Sequence, residues 1–169
     1  MNQPNNAFVV IDMQNGYLQR DVFNKSDLVD HINSLLDYFH SEGRPVFLFR
    51  HTNDSYSKIN TEAWQLYEGL RIADKDLIIN KSVSSAFKEK SFVALLESNH
   101  IQTITVAGLV SNGCVQAACI DGKKAGYSVT LISDAHSTFQ KNAEQIIEDW
   151  NTKLKAEEIE VITTDEFIR

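Results

Sequence analysis

Six apolar runs of strand length, separated by stretches of helical length, constrain this chain more than any other feature. The first, AFVVIDM at 7–13, is unbroken and rich in β-branched residues. A strand wet on one face alternates apolar and polar residues, so an unbroken run marks a strand covered on both faces. PVFLFRH (45–51), LIINK (77–81), TITVAG (103–108), YSVTLIS (127–133) and EIEVIT (158–163) follow. Between the first two, SDLVDHINSLLDYFHSEG (26–43) repeats Leu28, Ile32, Leu35, Leu36 and Phe39 at helical spacing, with Ser26 as N-cap and Gly43 and Pro45 as the stop. Residues 88–99 turn Phe92, Leu95 and Leu96 inward, 114–126 form a helix, and 141–155 carry Ile146, Ile147, Trp150 and Leu154 on one face. A polar segment, 52–75, holds a short helix at TEAWQLYEGL. Strands alternating with helices predict one domain over residues 1–169, a six-stranded parallel sheet sandwiched by helices in three α/β/α layers. Right-handed crossovers align the strands' C-terminal ends along one edge, where open α/β sheets bind ligands.

Composition excludes several function classes. A net charge of −7 and a pI near 5.2 argue against a nucleic-acid binder, which needs a basic stripe. No apolar run approaches the ~18 residues of a membrane span. The start, MNQPNNAFVVIDMQ, lacks the basic head of a signal peptide. Two cysteines five positions apart would lie roughly 140° around a shared helix, a poor geometry for a disulfide. These readings give a reduced, cytoplasmic protein.

The stretch GLVSNGCVQAAC (108–119) sets a cysteine in a Gly-bracketed turn between a strand and a helix. Asp12 ends the first strand, Lys81 the third, and Cys114 follows the fourth, so the topology projects all three from one edge. A helix N-terminus and an ammonium both favour a thiolate, so Cys114 is expected below the ordinary thiol range of about 8.5. Asp12 suits a base that takes the thiol proton and returns it to a leaving group, and Lys81 a cation that tunes both. The amides of Cys114 and of a residue earlier in the turn, Val110, are candidate donors to an oxyanion. Asp12 interrupts an apolar run, where an unpartnered carboxylate is costly; the alternative is a structural salt bridge. Cys119 reads as a small core residue.

Competing motifs are weaker. Gly108 and Gly113 have P-loop spacing, but Cys114 and Val115 replace the required Lys and Ser/Thr. No GxGxxG follows a strand, and no CxxC or HxxxH supports zinc. His31 and His40 read as half-exposed helix residues, His100 and His136 as loop residues. A Cys–His pair using His51 or His136 stays open.

VVIDMQNGY (9–17), NKSVSSAF (80–87), VAGLVSNGCVQAAC (106–119) and GYSVTLISDAHST (126–138) together resemble the isochorismatase-like cysteine hydrolases, which include nicotinamidases and related amidohydrolases. The resemblance implies a Rossmann-like isochorismatase-like hydrolase fold and a triad of Asp12, Lys81 and Cys114. It implies a non-proline cis peptide at Leu109–Val110 that turns the Val110 amide toward the oxyanion. It places Gln14 and Tyr17 among residues lining the pocket. The Asp-x-His metal motif of nicotinamidases is absent from RHTNDSYSKIN, although His51 is present. The segment therefore resembles the metal-independent members, implying no metal and no cofactor. His51 stays a candidate substrate contact.

The expected activity is cleavage of a C–N bond in a small amide-type substrate through a thioester on Cys114. The alternatives are an isochorismatase-type enol-ether hydrolase and a non-catalytic binding protein on the same fold. The expected partners are a small-molecule substrate and further copies of the chain in a homo-oligomer, with neither nucleic acid nor membrane. Segment 52–75, with Trp64, Leu66 and Tyr67, is a candidate lid or interface, or else buries its aromatics within the monomer.

Overall fold

The computed structural model describes residues 5–169. Among them, six strands form one parallel sheet ordered β3-β2-β1-β4-β5-β6. The strands are β1 (Asn6–Ile11), β2 (Val46–His51), β3 (Leu77–Lys81), β4 (Thr103–Leu109), β5 (Ser128–Ser137) and β6 (Glu160–Ile162). The helices are α1 (Asn15–Leu18), α2 (Lys25–Ser41), α3 (Lys90–Ser98), α4 (Gln116–Lys124), α5 (Ala143–Ala156) and α6 (Thr164–Ile168). Strand order runs outward in opposite directions from β1 and β4, so the connections part between those two strands. Such a reversal opens a crevice at the carboxyl ends of the strands.

The unbroken apolar run makes β1 the buried central strand, with Ala7 to Ile11 at 0% exposure. Its alternate residues feed two cores. Ala7, Val9 and Ile11 join Phe92 and Leu96 of α3, Ala118 and Cys119 of α4 and Leu154 of α5. Phe8 and Val10 join Leu28, Ile32, Leu35, Leu36 and Phe39 of α2. Phe39 stacks on Phe8 at 5.1 Å and on Phe167 of α6 at 5.6 Å, clamping that face.

The structure departs from the sequence reading in several places. α2 starts at Lys25 after Asn24, so Ser26 lies inside its first turn rather than at the N-cap. β5 runs to Ser137 because its register with β4 slips between Val106 and Gly108, pairing Gly108 with His136. His136 is thus a buried strand residue rather than a loop residue. The helix expected from Cys114 begins at Gln116; the cysteine lies in a π-type turn, Ser111–Val115, broken at Gly113. The helix expected over 61–70 shrinks to a 3₁₀ turn, Glu62–Trp64. α1 and α6 have four and five residues, too few to show a period in the sequence.

Gly108 explains how closely β4 approaches β1. Its φ is +121°, and a Cβ there would lie 2.2 Å from the Ile11 carbonyl oxygen. Any side chain would drive apart the two strands whose ends frame the crevice.

Phe39→Ala removes a fully buried ring from the centre of the α2 face. Urea unfolding should show a loss of about 3–5 kcal/mol, with the slope unchanged.

Candidate active site

β1 ends where Asp12 turns into the left-handed region at φ 52°, a conformation Asp adopts more readily than most residues. Its N–H still bonds the Phe49 carbonyl at 3.2 Å, so the turn stays tied to the sheet while the carboxylate swings over the strand end. Lys81, the last residue of β3, is in register with His51 of β2. Its side chain reaches back across β2 and is fully buried.

The Lys81 ammonium is the centre of the site. Its Nζ lies 2.9 Å from Asp12 Oδ2, 3.2 Å from Cys114 Sγ, 3.2 Å from His51 Nδ1 and 3.3 Å from the Val83 carbonyl. Ligand atoms of Asp12, His51 and Cys114 all fall within 4.8 Å of one another. Among the described residues, these three are the one group spaced to hold a metal ion. The ammonium lies in bonding range of all three and already supplies positive charge there. A metal at that point would have to displace it.

Burial works against the charge of Lys81, but Asp12 and then Cys114 hold it above the usual lysine range, so it remains an ammonium. Burial raises the Asp12 pKa, and the pull of Lys81 only partly offsets this. Cys114 is pushed up to about 11, first by burial and then by the Asp12 carboxylate; Lys81 acts in the opposite sense. This corrects the expectation of a depressed thiol. The turn gives Cys114 no regular helix terminus, and desolvation outweighs the ammonium. Asp12 and Cys114 behave as a coupled pair that keeps one proton between them above neutral pH. Asp12 Oδ1 is buried without a hydrogen-bond partner among the described residues.

His51 is not paired with the thiol. Its Nδ1 accepts from Lys81, and burial and then Lys81 lower its pKa. The ring is therefore neutral with its proton on Nε2. His136 bonds Ser111 and Asn151 instead of the cysteine.

A cavity of about 150 Å³ opens beside Cys114, walled by Asp12, Tyr17, His51, Ser84, Val110 and Phe139 among others. That volume equals roughly five water molecules at bulk density, room for a small planar group. Larger hollows lie elsewhere, such as one of about 620 Å³ reaching Asn6, Thr103 and Ser128 at the opposite ends of the strands. They hold none of the acid, amine and thiol.

Tyr17 and His51 lie on the cavity wall, but Gln14 does not. The Gln14 side chain is fully buried and clasped by backbone: it donates to the His51 and Trp64 carbonyls at 2.9 Å and accepts from the His51 N–H at 2.7 Å. It welds segment 52–75 to the β1 end. In that segment Trp64 is buried under the Arg50 guanidinium, 3.6 Å from its ring, and Leu66 and Tyr67 pack on the α2 core. Ser84 and Phe139 escaped the sequence reading. Ser84 lies three residues past Lys81, within reach of the strand-end argument. Phe139 could be placed only once the slip had lengthened β5.

The site is thus an acid, an amine and a thiol gathered at the β1/β4 crevice of a six-stranded parallel α/β fold. An isochorismatase domain model matches residues 6–166. The chain belongs to the isochorismatase family, which places it among hydrolases. An uncharacterized isochorismatase family protein of Bacillus subtilis, YddQ, is 26% identical over 139 residues, covering 78% of this chain and 77% of that one. N-carbamoylsarcosine amidase of an Arthrobacter species is 28% identical over 145 residues, 72% of this chain and 55% of its own length. The crystal structure of a cysteine hydrolase from Pseudomonas syringae pv. phaseolicola superimposes with a TM-score of 0.88 at 24% identity, covering 100% of this chain and 97% of that one.

Alkylation of Cys114 by iodoacetamide should be slow at neutral pH and rise with a midpoint near pH 11. In urea the midpoint should fall to the ordinary thiol range of about 8.5. The folded pKa is raised, so the thiol stabilises the fold below the unfolded value, and that contribution is lost as pH climbs through the folded one.

Proposed function

We propose that this chain is a cysteine hydrolase that cleaves the C–N bond of a small amide through a thioester on Cys114. The observation that carries the reading is the Lys81 ammonium bridging Asp12 Oδ2 and Cys114 Sγ at a cavity wall. A fully buried ion pair contributes little net stability, because desolvating both charges offsets their attraction. One that touches a cysteine in a small cavity has a chemical use instead.

Asp12 takes the thiol proton as Sγ attacks the substrate carbonyl carbon, forming the C–S bond of a tetrahedral intermediate. The carbonyl oxygen gains the negative charge and is received by the amides of Val110 and Cys114. The Leu109–Val110 peptide is cis, and Val110 borders the cavity. Collapse of the intermediate breaks the C–N bond as Asp12 returns its proton to the leaving nitrogen. Asp12, a carboxylate again, then takes a proton from water. The hydroxide displaces the thiolate from the acyl carbon, and the proton returns to the Asp12–Cys114 pair. Lys81 remains an ammonium and limits charge separation at each step.

The amidase among the relatives supports an amide rather than an ether as the scissile group. The volume beside Cys114 favours a primary amide or ureide on a small body. We also propose a homo-oligomer. Tyr56, Ile59, Ile72, Leu77, Ile78 and Val83 are exposed large apolar residues, all from the segment that leads into, forms and leaves the edge strand β3.

A panel of small amides, ureides and imides tests the reading. Cys114→Ala should fold normally and lose at least about 10³-fold in kcat on any amide the wild type cleaves, with Asp12→Asn comparably impaired. Cys114→Ala with undiminished turnover would remove the proposal.

A further inference from the structure

The mechanism above leaves a buried histidine unused. His136, on β5, is 3% exposed and lies against Gly108 at the end of β4. Its Nδ1 is 2.7 Å from Ser111 Oγ, and its Nε2 is 2.8 Å from Asn151 Oδ1 on α5. Asn151 Nδ2 in turn donates to the Ser133 carbonyl at 3.3 Å, which fixes which end of that amide faces the ring. An amide oxygen only accepts, so His136 Nε2 must carry a hydrogen. Burial keeps the ring neutral, so Nδ1 is bare and accepts. Ser111 therefore donates, and both bonds have one possible direction.

Ser111 is fully buried and follows Val110 directly. The Val110 carbonyl accepts from the N–H groups of Gly113 at 3.0 Å and Val115 at 3.2 Å, which closes the turn on itself. The Ser111–His136–Asn151 chain anchors that closed turn to β5 and to the outer helix α5. Gly113, inside the turn, has backbone angles outside the helical range, so the turn lacks the self-support of a regular helix.

We propose that His136, as the neutral tautomer protonated at Nε2, is a positioning residue. It holds Ser111 from behind the turn, and so fixes the Val110 amide and Cys114 relative to Asp12 and Lys81. This rests on the cysteine-hydrolase reading, because the turn needs such precision only if it presents a nucleophile and oxyanion donors. A displacement of about 1 Å in such a turn costs up to ~100-fold in rate.

Two isosteres separate the bonds. In His136→Asn an amide atom stands near the Nδ1 position, and in His136→Gln one stands near Nε2. His136→Gln and Ser111→Ala should each lower kcat by ~10–100-fold with KM within about twofold. His136→Asn should recover most of that loss. The double variant Ser111→Ala/His136→Gln should be no slower than the worse single variant, as expected of groups acting in one chain. The substrate is the best amide of the panel; if none turns over, the readout is acylation of Cys114 by p-nitrophenyl acetate, followed by p-nitrophenolate release and mass gain. In the wild type, ¹⁵N spectra should show His136 protonated at Nε2 and bare at Nδ1.

Full activity in His136→Gln, equal losses in the Asn and Gln variants that track their melting temperatures, or the opposite tautomer would overturn the proposal. Cys114→Ala is run alongside. If it is inactive while His136→Gln is fully active, this inference alone fails. If it is fully active, the hydrolase reading fails as well.

Discussion

One buried ammonium organises this molecule's chemistry. Lys81 Nζ meets a carboxylate, a thiol, an imidazole and a carbonyl within 3.3 Å, and its side chain has no access to water. Without it, Asp12 would be a desolvated carboxylate at the end of an apolar strand and would take up a proton. With it, carboxylate and thiol share a proton in a field that tolerates negative charge on either. The same cation adds to burial in keeping His51 neutral and lies 3.2 Å from Cys114 Sγ. The cost of burying it is offset by its bonds to Asp12 and Cys114, which the strand ends hold in place: β1 has no exposed apolar residue, and Gly108 lets β4 close on Ile11.

The topology makes that convergence possible. Asp12, Lys81 and Cys114 are separated by 69 and 33 positions, and no local element could join them. A parallel sheet ordered 3-2-1-4-5-6 brings the ends of β1 and β4 side by side with the crevice between them. β3, two strands away, contributes by the length of a lysine. A shorter cation at the same strand end would not cross β2.

The architecture was legible because its signals are long. Unbroken apolar runs marked the strands, and Leu28 to Phe39 marked the main helix. The meeting of acid, amine and thiol followed from strand-end logic applied to those runs. What stayed hidden depends on contacts between distant segments. The raised thiol pKa needs burial and a neighbouring carboxylate, neither of which a sequence displays. Gln14 is polar and sits two positions past Asp12, and the resemblance places it in the pocket; only the backbone it clasps shows its bracing role. The β5 slip depends on how β4 is held against β1, and it conceals both Phe139 and His136. The slow alkylation expected of a thiol near pKa 11 also removes slow labelling as a sign of an inert cysteine. A proton shared with Asp12 gives the same slowness in an active one.

Neutron diffraction from a deuterated crystal at neutral pH tests the central claim most directly, because it locates the hydrogens around Lys81. Three on Nζ, none on His51 Nδ1, and one between Asp12 and Cys114 would agree with an ammonium that polarises a proton-sharing acid and thiol. Two on Nζ, with the missing proton on His51, would contradict it and move the positive charge of the site to the imidazole.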